Sequence, residues 1–210
     1  TKKPTILGWS RYCHERSTVR EIQGWFQGTA EIGIGIAHGG ASGYSEMLEC
    51  ETAAALDELE GRVRDHGRPD LVETLNLRVR SGGGGVHLIY RCPDLADLEK
   101  TPGNEVLARH ADGTVKIETR ASGGQSIVPG GVATVHPSGR PYELIGGSFA
   151  RVPVLAREDR DLLFGIARLC DEMPEKVVRH RPPGGARRPG DPKRPGDDYN
   201  ERAGNAQVLE

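Results

Sequence analysis

Apolar positions along this chain follow two rhythms. From Ser17 to Phe26, hydroxyl residues precede Val19, Ile22, Trp25 and Phe26 at helical spacing, which predicts a short amphipathic helix with a capped start. Residues 53–65 place Leu56, Leu59 and Val63 on one face with charges opposite, a surface helix that Pro69 is expected to end. Arg157 to Leu169 repeats the pattern, with Leu162, Leu163, Ile166 and Leu169 predicted to face inward. Between these helices the period is two. Residues 31–37, the glycine-rich turn at 39–43 and the segment Met47 to Glu51 predict two strands joined as a hairpin. Leu75 to Arg80 and Val86 to Arg91, on either side of four consecutive glycines, predict a second strand–loop–strand unit. Thr114 to Arg120 alternates as a further strand, and Arg140 to Leu144 reads as a turn entering another. Strands interleaved with a few helices, without regular strand–helix alternation, favour an α+β (mixed α/β) domain over a doubly wound one.

Composition sharpens this picture in three places. The 210 residues are 36% hydrophobic and 28% charged, a globular balance, with no apolar run near the roughly 20 residues that span a bilayer, so no membrane partner is expected. From Val177 onward arginine, proline, glycine and aspartate crowd out large apolar groups. This sets an expected ordered domain over residues 1–176 and a disordered linker tail over 177–210. The opening Thr-Lys-Lys-Pro has neither Met nor a secretory apolar core, and reads as a segment from within a longer protein. The four scattered cysteines fit neither a zinc site nor a disulfide scaffold and suit a reducing cytosol, so a cytoplasmic location is expected. With a net charge of only −2, a nucleic-acid partner would have to meet a local basic face.

The candidate chemistry lies in three carboxylates and one loop. Glu49 and Glu51 are two apart in a predicted strand and project from one face, away from Leu48 and Cys50. Such a like-charged pair is kept cheaply when solvated, salt-bridged or bound to cations, and oxygen ligands suit Mg²⁺ or Mn²⁺. The plainer alternative is the wet face of an edge strand. Glu118 supplies a third carboxylate on another strand, with Lys116 and Arg120 expected on its own face. Three carboxylates on neighbouring strands could hold two cations about 3.5–4 Å apart, one activating a hydroxyl and the other steadying a triphosphate. The loop Arg80-Ser81-Gly82-Gly83-Gly84-Gly85-Val86-His87 lacks the Lys-Ser/Thr ending and following helix of a Walker loop, yet its glycines can form a nest for phosphate oxygens. His87 could donate to a triphosphate, with Arg80 and Arg91 adding charge-assisted contacts. The alternative here is a flexible hairpin tip. The other histidines, His14, His38, His66, His110, His136 and His180, are assigned no role.

From Trp9 through Leu169 the chain resembles the bifunctional DNA primase/polymerase domain of the archaeo-eukaryotic primase superfamily. The resemblance rests on Thr18 to Phe26, Ser42 to Glu51, Arg80 to Arg91, Ile117-Glu-Thr-Arg-Ala-Ser-Gly-Gly and His136-Pro-Ser-Gly-Arg-Pro-Tyr-Glu-Leu, in this order. It implies a primase-like catalytic core with an RRM-like sheet plus an N-terminal α/β unit. It also implies two ions of Mg²⁺ or Mn²⁺ held by Glu49, Glu51 and Glu118, and a catalytic role for these three and His87. Nucleotide binding would fall to Arg80, Ser81, Gly83, Gly84, Gly85, His87, Arg91 and Arg120. The implied activity is template-dependent nucleotidyl transfer from nucleoside triphosphates to a 3′-hydroxyl on a DNA primer. The implied setting is the front of a phage, plasmid or mobile-element replication protein with a helicase or other replication module behind it. The chain departs from the family's usual aspartates at Glu49 and Glu51, from Ser-Gly-Gly in the loop, and from an aromatic residue at Gln125. Two other functions stay open: a catalytically weakened module that binds nucleotide or template, and a metal-dependent phosphohydrolase or nuclease.

Overall fold

The computed structural model describes residues 2–28 and 32–174. The predicted linker over 177–210 lies outside the described residues. In chain order the elements are α1 (Val19–Trp25), β1 (Ile34–Ala37), β2 (Ser45–Cys50), α2 (Ala53–Asp65), α3 (Pro69–Thr74), β3 (Arg78–Arg80), β4 (Val86–Arg91), β5 (Val106–Arg109), β6 (Val115–Arg120), β7 (Gln125–Val128), β8 (Glu143–Gly146) and α4 (Arg157–Arg168). The fold is α+β. No helix among the described residues is long and apolar enough to cross a membrane.

Local chemistry sets the helix ends. At α1, Thr18 accepts from the Glu21 amide while the Glu21 carboxylate accepts from the Thr18 amide, a capping box. At α2 the Thr52 hydroxyl accepts from the Ala55 amide, a simple N-cap with no returning carboxylate. The far end of α2 is set by Gly67 rather than Pro69: Gly67 adopts φ +75°, its amide bonds Arg64 O, and the Arg68 amide bonds Val63 O. This is a Schellman stop, which needs a left-handed residue that glycine supplies at no steric cost. Pro69 instead opens α3, where its missing N–H removes a donor that would have had no helical partner.

Six strands form one antiparallel sheet in the order β5-β6-β2-β4-β3-β8. On one face Leu48, Cys50, Val86, Leu88 and Ile117 pack with Leu56, Leu59 and Val63 of α2 and with Leu163, Phe164 and Ile166 of α4. Inside this layer Arg160 of α4 grips Glu46 through Nε–Oε2 at 2.6 Å and Nη2–Oε1 at 2.8 Å, and Tyr90 donates its hydroxyl to the same carboxylate. The predicted inward face of α4 is turned accordingly. Arg160, Leu163, Phe164, Ile166 and Ala167 are buried and Leu162 is half-buried, whereas Leu169 follows the helix and is exposed.

On the opposite face Met47, Val79, Ile89, Val128 and Tyr142 form a second apolar cluster with Ile34, Ile36 and Ile127. There the predicted hairpin between residues 31 and 51 is replaced by another pairing: β1 lies antiparallel to β7 in a separate two-stranded sheet. The chain leaves β1 through a 3₁₀ turn at Gly40–Ser42, in which Gly39 approaches Cys13 O so closely that a Cβ would sit 2.5 Å from it. Buried His38 joins the two sheets, with Nδ1 2.8 Å from Ser45 Oγ of β2 and Nε2 2.9 Å from Ser126 Oγ of β7. The expected strand over residues 75–80 is shorter, covering only β3, although Leu75 and Leu77 are buried beside it. Neither α3 nor β5 follows from the apolar spacing, since each is too short to complete a period.

Candidate active site

Strand β2 is buried along its whole length, and Glu49 sits in it with Glu118 of β6 on one side and His87 of β4 on the other, each a direct cross-strand partner. Side chains of directly opposed residues share a face, so three adjacent strands present Glu118, Glu49 and His87 as one row. Glu51 lies just past the end of β2. One carboxylate oxygen from each of Glu49, Glu51 and Glu118 falls within 4.8 Å of the others. His87 Nε2 is 3.1 Å from Glu49 Oε1 but poorly aligned as a hydrogen bond, and Nδ1 is buried with no hydrogen-bond partner among the described residues. Arg120 pairs with Glu118.

The three acids differ electrically. Burial pushes Glu49 up, but its contact with His87, together with Lys2 and Arg120, outweighs this and holds the carboxyl below its ordinary value. Burial and the charges of Glu49 and Glu118 push Glu51 up. Burial pushes Glu118 up as well, Arg120 opposing and Glu49 adding to the rise. Two carboxyls raised by crowding around a third that stays ionised make a site that a divalent cation would relieve. An all-oxygen donor set of this kind fits Mg²⁺ or Mn²⁺.

The glycine loop closes against this cluster. Ser81 N–H donates to Gly85 O at 2.8 Å and Gly84 N–H to Ser81 O at 2.9 Å, with Gly84 at φ +101°. A Cβ on Gly85 would meet Cys50 O at 2.8 Å and Glu51 O at 3.0 Å, so only glycine lets the loop lie on the backbone beside Glu51. From the other side Ser138 Oγ and Arg140 Nε both donate to Gly82 O, at 2.6 and 2.9 Å. A cavity of about 520 Å³ opens over the row, lined by Glu49, Glu51, Glu118, His87, Arg120 and Tyr142.

Of the residues singled out from sequence, Glu49, Glu51, Glu118, His87 and Arg120 meet in this cavity, and Ser81, Gly83, Gly84 and Gly85 form the loop beside Glu51. Arg80 does not join them: Val79 pairs with His87, so Arg80 points to the opposite face, where it is exposed and pairs with Glu143 at 3.3 Å. Arg91 stays on the His87 face but sits opposite Ser45, about 13 Å along the strand from His87. Lys116, expected beside Glu118, reaches Glu58 of α2 at 2.7 Å and also pairs with Glu172. Two residues not foreseen are Tyr142, whose ring lies 5.7 Å from that of His87, and His136, 5.9 Å beyond it. Burial and the charges of Glu49 and Glu51 push the Tyr142 hydroxyl up to about 12. The only sequence signal for either residue is the His136 to Leu144 segment itself.

Fold and site together describe an α+β domain built around a carboxylate centre suited to a divalent cation. The chain belongs to the bifunctional DNA primase/polymerase, N-terminal (Prim-Pol) family, whose model matches residues 1–157. Among curated proteins none matches it. The family implies DNA primase/polymerase nucleotidyltransferase activity, metal dependence, and DNA and nucleotides as substrates.

Proposed function

We propose that this domain is a template-dependent nucleotidyltransferase that adds nucleotides to a 3′-hydroxyl by a two-metal mechanism. The observation that carries the reading is the in-register row Glu118–Glu49–His87, with Glu51 and the glycine loop at its end. Glu49, Glu51 and Glu118 would hold Mg²⁺ or Mn²⁺. When bound, such ions supply activation of the attacking hydroxyl and neutralisation of triphosphate charge. In the transfer, the 3′-oxygen bonds the α-phosphorus as the bond to pyrophosphate breaks. His87 on β4 and Arg120 on β6 put hydrogen-bond donors on either side of Glu49, where they would meet the negative charge of the triphosphate. Ser81 to Gly85 offer backbone amides next to Glu51, and the Gly82 anchors from Ser138 and Arg140 hold that loop in shape before nucleotide arrives.

Glutamate in place of the usual aspartate lengthens Glu49 and Glu51 by one methylene, and this favours a second reading, a module that binds nucleotide without turnover. Primer extension with Mg²⁺ or Mn²⁺ separates the two. The wild type extends a primer, and Glu49→Ala lowers the rate at least about 100-fold, the usual scale for loss of a central charge-stabilising group. Extension unchanged in Glu49→Ala overturns the proposal, and saturable nucleotide binding by calorimetry without extension selects the second reading. The family's description as an N-terminal domain supports a place at the front of a longer replication protein, and a helicase or other module behind it is part of the proposal alone.

A further inference from the structure

A second cavity, of about 560 Å³, adjoins the first, and Pro4, Trp9, Gln125 and Ile127 line both. Its lining includes three aromatic residues from the N-terminal segment, Trp9, Tyr12 and Trp25, and the aliphatic Ile36 of β1, Ile127 of β7 and Val135. Tyr12 stands edge-on to Trp25 with ring centroids 4.9 Å apart and an interplanar angle of 75°. Its hydroxyl is held by Glu21 at 2.9 Å, so the pair is oriented rather than loose. Residues 2 to 28 carry five lysines and arginines against two glutamates, in a chain whose net charge is −2. Of these, Lys3 and Arg16 line the cleft together with Glu15, while Arg11 is paired with Glu21.

We propose that this cleft holds single-stranded DNA, with one template base stacked against the Trp9–Tyr12–Trp25 wall on its way to the carboxylate row. The inference rests on the polymerase reading above and names where its template enters. Trp9 lines both cavities, so a base stacked on it would lie beside the carboxylate cavity in which the incoming nucleotide is proposed to bind. Aromatic stacking accepts any base through its π-face, as a template strand of arbitrary sequence requires, while Lys3 and Arg16 on the cleft's lining meet its phosphates. A duplex cannot enter, because stacking on a side chain needs a base already free of its own stack.

The chain's only two tryptophans both line the cleft, so their fluorescence reports on it directly. The experiment titrates the full chain with a single strand of about twelve nucleotides, without metal or nucleoside triphosphate, alongside the matching duplex and dATP alone. Saturable quenching by the single strand is expected, with markedly less from the duplex. Trp9→Leu and Trp25→Leu should each weaken strand affinity roughly tenfold, with Trp→Phe at the same sites restoring most of it. The wild-type titration with strand and duplex decides by itself, so no variant has to fold for the test to stand. Binding of a labelled strand without quenching, equal quenching by duplex, or equal quenching by dATP in Trp9→Leu, where Trp25 alone reports, overturns the inference. Glu49→Ala should retain the quenching while losing extension. Extension without quenching refutes the strand site alone, and quenching without extension refutes the polymerase reading alone.

Discussion

His38 ties the two sheets together, and its titration should set the acid limit of the fold. Its ring is fully buried between Ser45 and Ser126, and burial, aided by the charges of His87 and Arg120 and opposed by Ser45, pushes its pKa down to about 4. An unfolded histidine titrates near 6.5. Between these values the unfolded chain binds a proton that the folded chain refuses, so stability rises with pH across this window. The contribution is fully present above pH 6.5 and is lost as pH falls towards 4. About 2.5 units at about 1.4 kcal/mol each makes the loss about 3 kcal/mol. Carboxylates titrate in the same range, so the comparison must isolate the imidazole. In His38→Gln the amide can still donate to one serine and accept from the other but cannot charge. Urea unfolding of both proteins at pH 7, 6, 5 and 4 should give curves whose difference changes by about 3 kcal/mol in favour of His38→Gln as pH falls. Curves that stay parallel from pH 7 to 4 would refute the reasoning.

Two further outcomes follow from packing. Arg160→Met leaves the Glu46 carboxylate buried at 1% exposure with Tyr90 as its one remaining partner among the described residues, and should cost about 3–5 kcal/mol in denaturant unfolding, whereas adding Glu46→Leu should recover much of it. Gly85→Ala drives a methyl against Cys50 O and Glu51 O, and should weaken nucleotide binding in calorimetry while costing about 1–3 kcal/mol of stability; unchanged affinity would mean that the loop does not touch nucleotide.

The parts of the fold legible in the sequence are those where one period runs long enough to mark a face. Leu56, Leu59 and Val63 place α2, and the alternation around Glu49 puts it opposite Leu48 and Cys50, as found. Register is not written locally. That Glu118 and His87 both sit level with Glu49 depends on pairings between distant strands, and the same register removes Arg80 from the site by pairing Val79 with His87. The glycines after β1 carry an ordinary hairpin signal, but the contact of Gly39 with Cys13 O and the hydrogen bonds of His38 send β1 to β7 instead. His136 and Tyr142 are invisible for a related reason: their segment has no period, and its position is set by what Ser138 and Arg140 hold on the glycine loop. The apolar side of α1 teaches the reverse lesson, since Val19, Ile22 and Phe26 have helical spacing yet remain exposed.

Strand β2 carries Glu46 towards the helices and Glu49 towards the cavity, and all six of its residues are buried. Amide hydrogens there exchange only when the central sheet itself opens, while α1 and the loop rims can breathe independently. The spacing of Glu49 from Glu118 and His87 is thus insulated from fluctuations at the surface. Substrates could remodel the walls of the cleft without disturbing its floor.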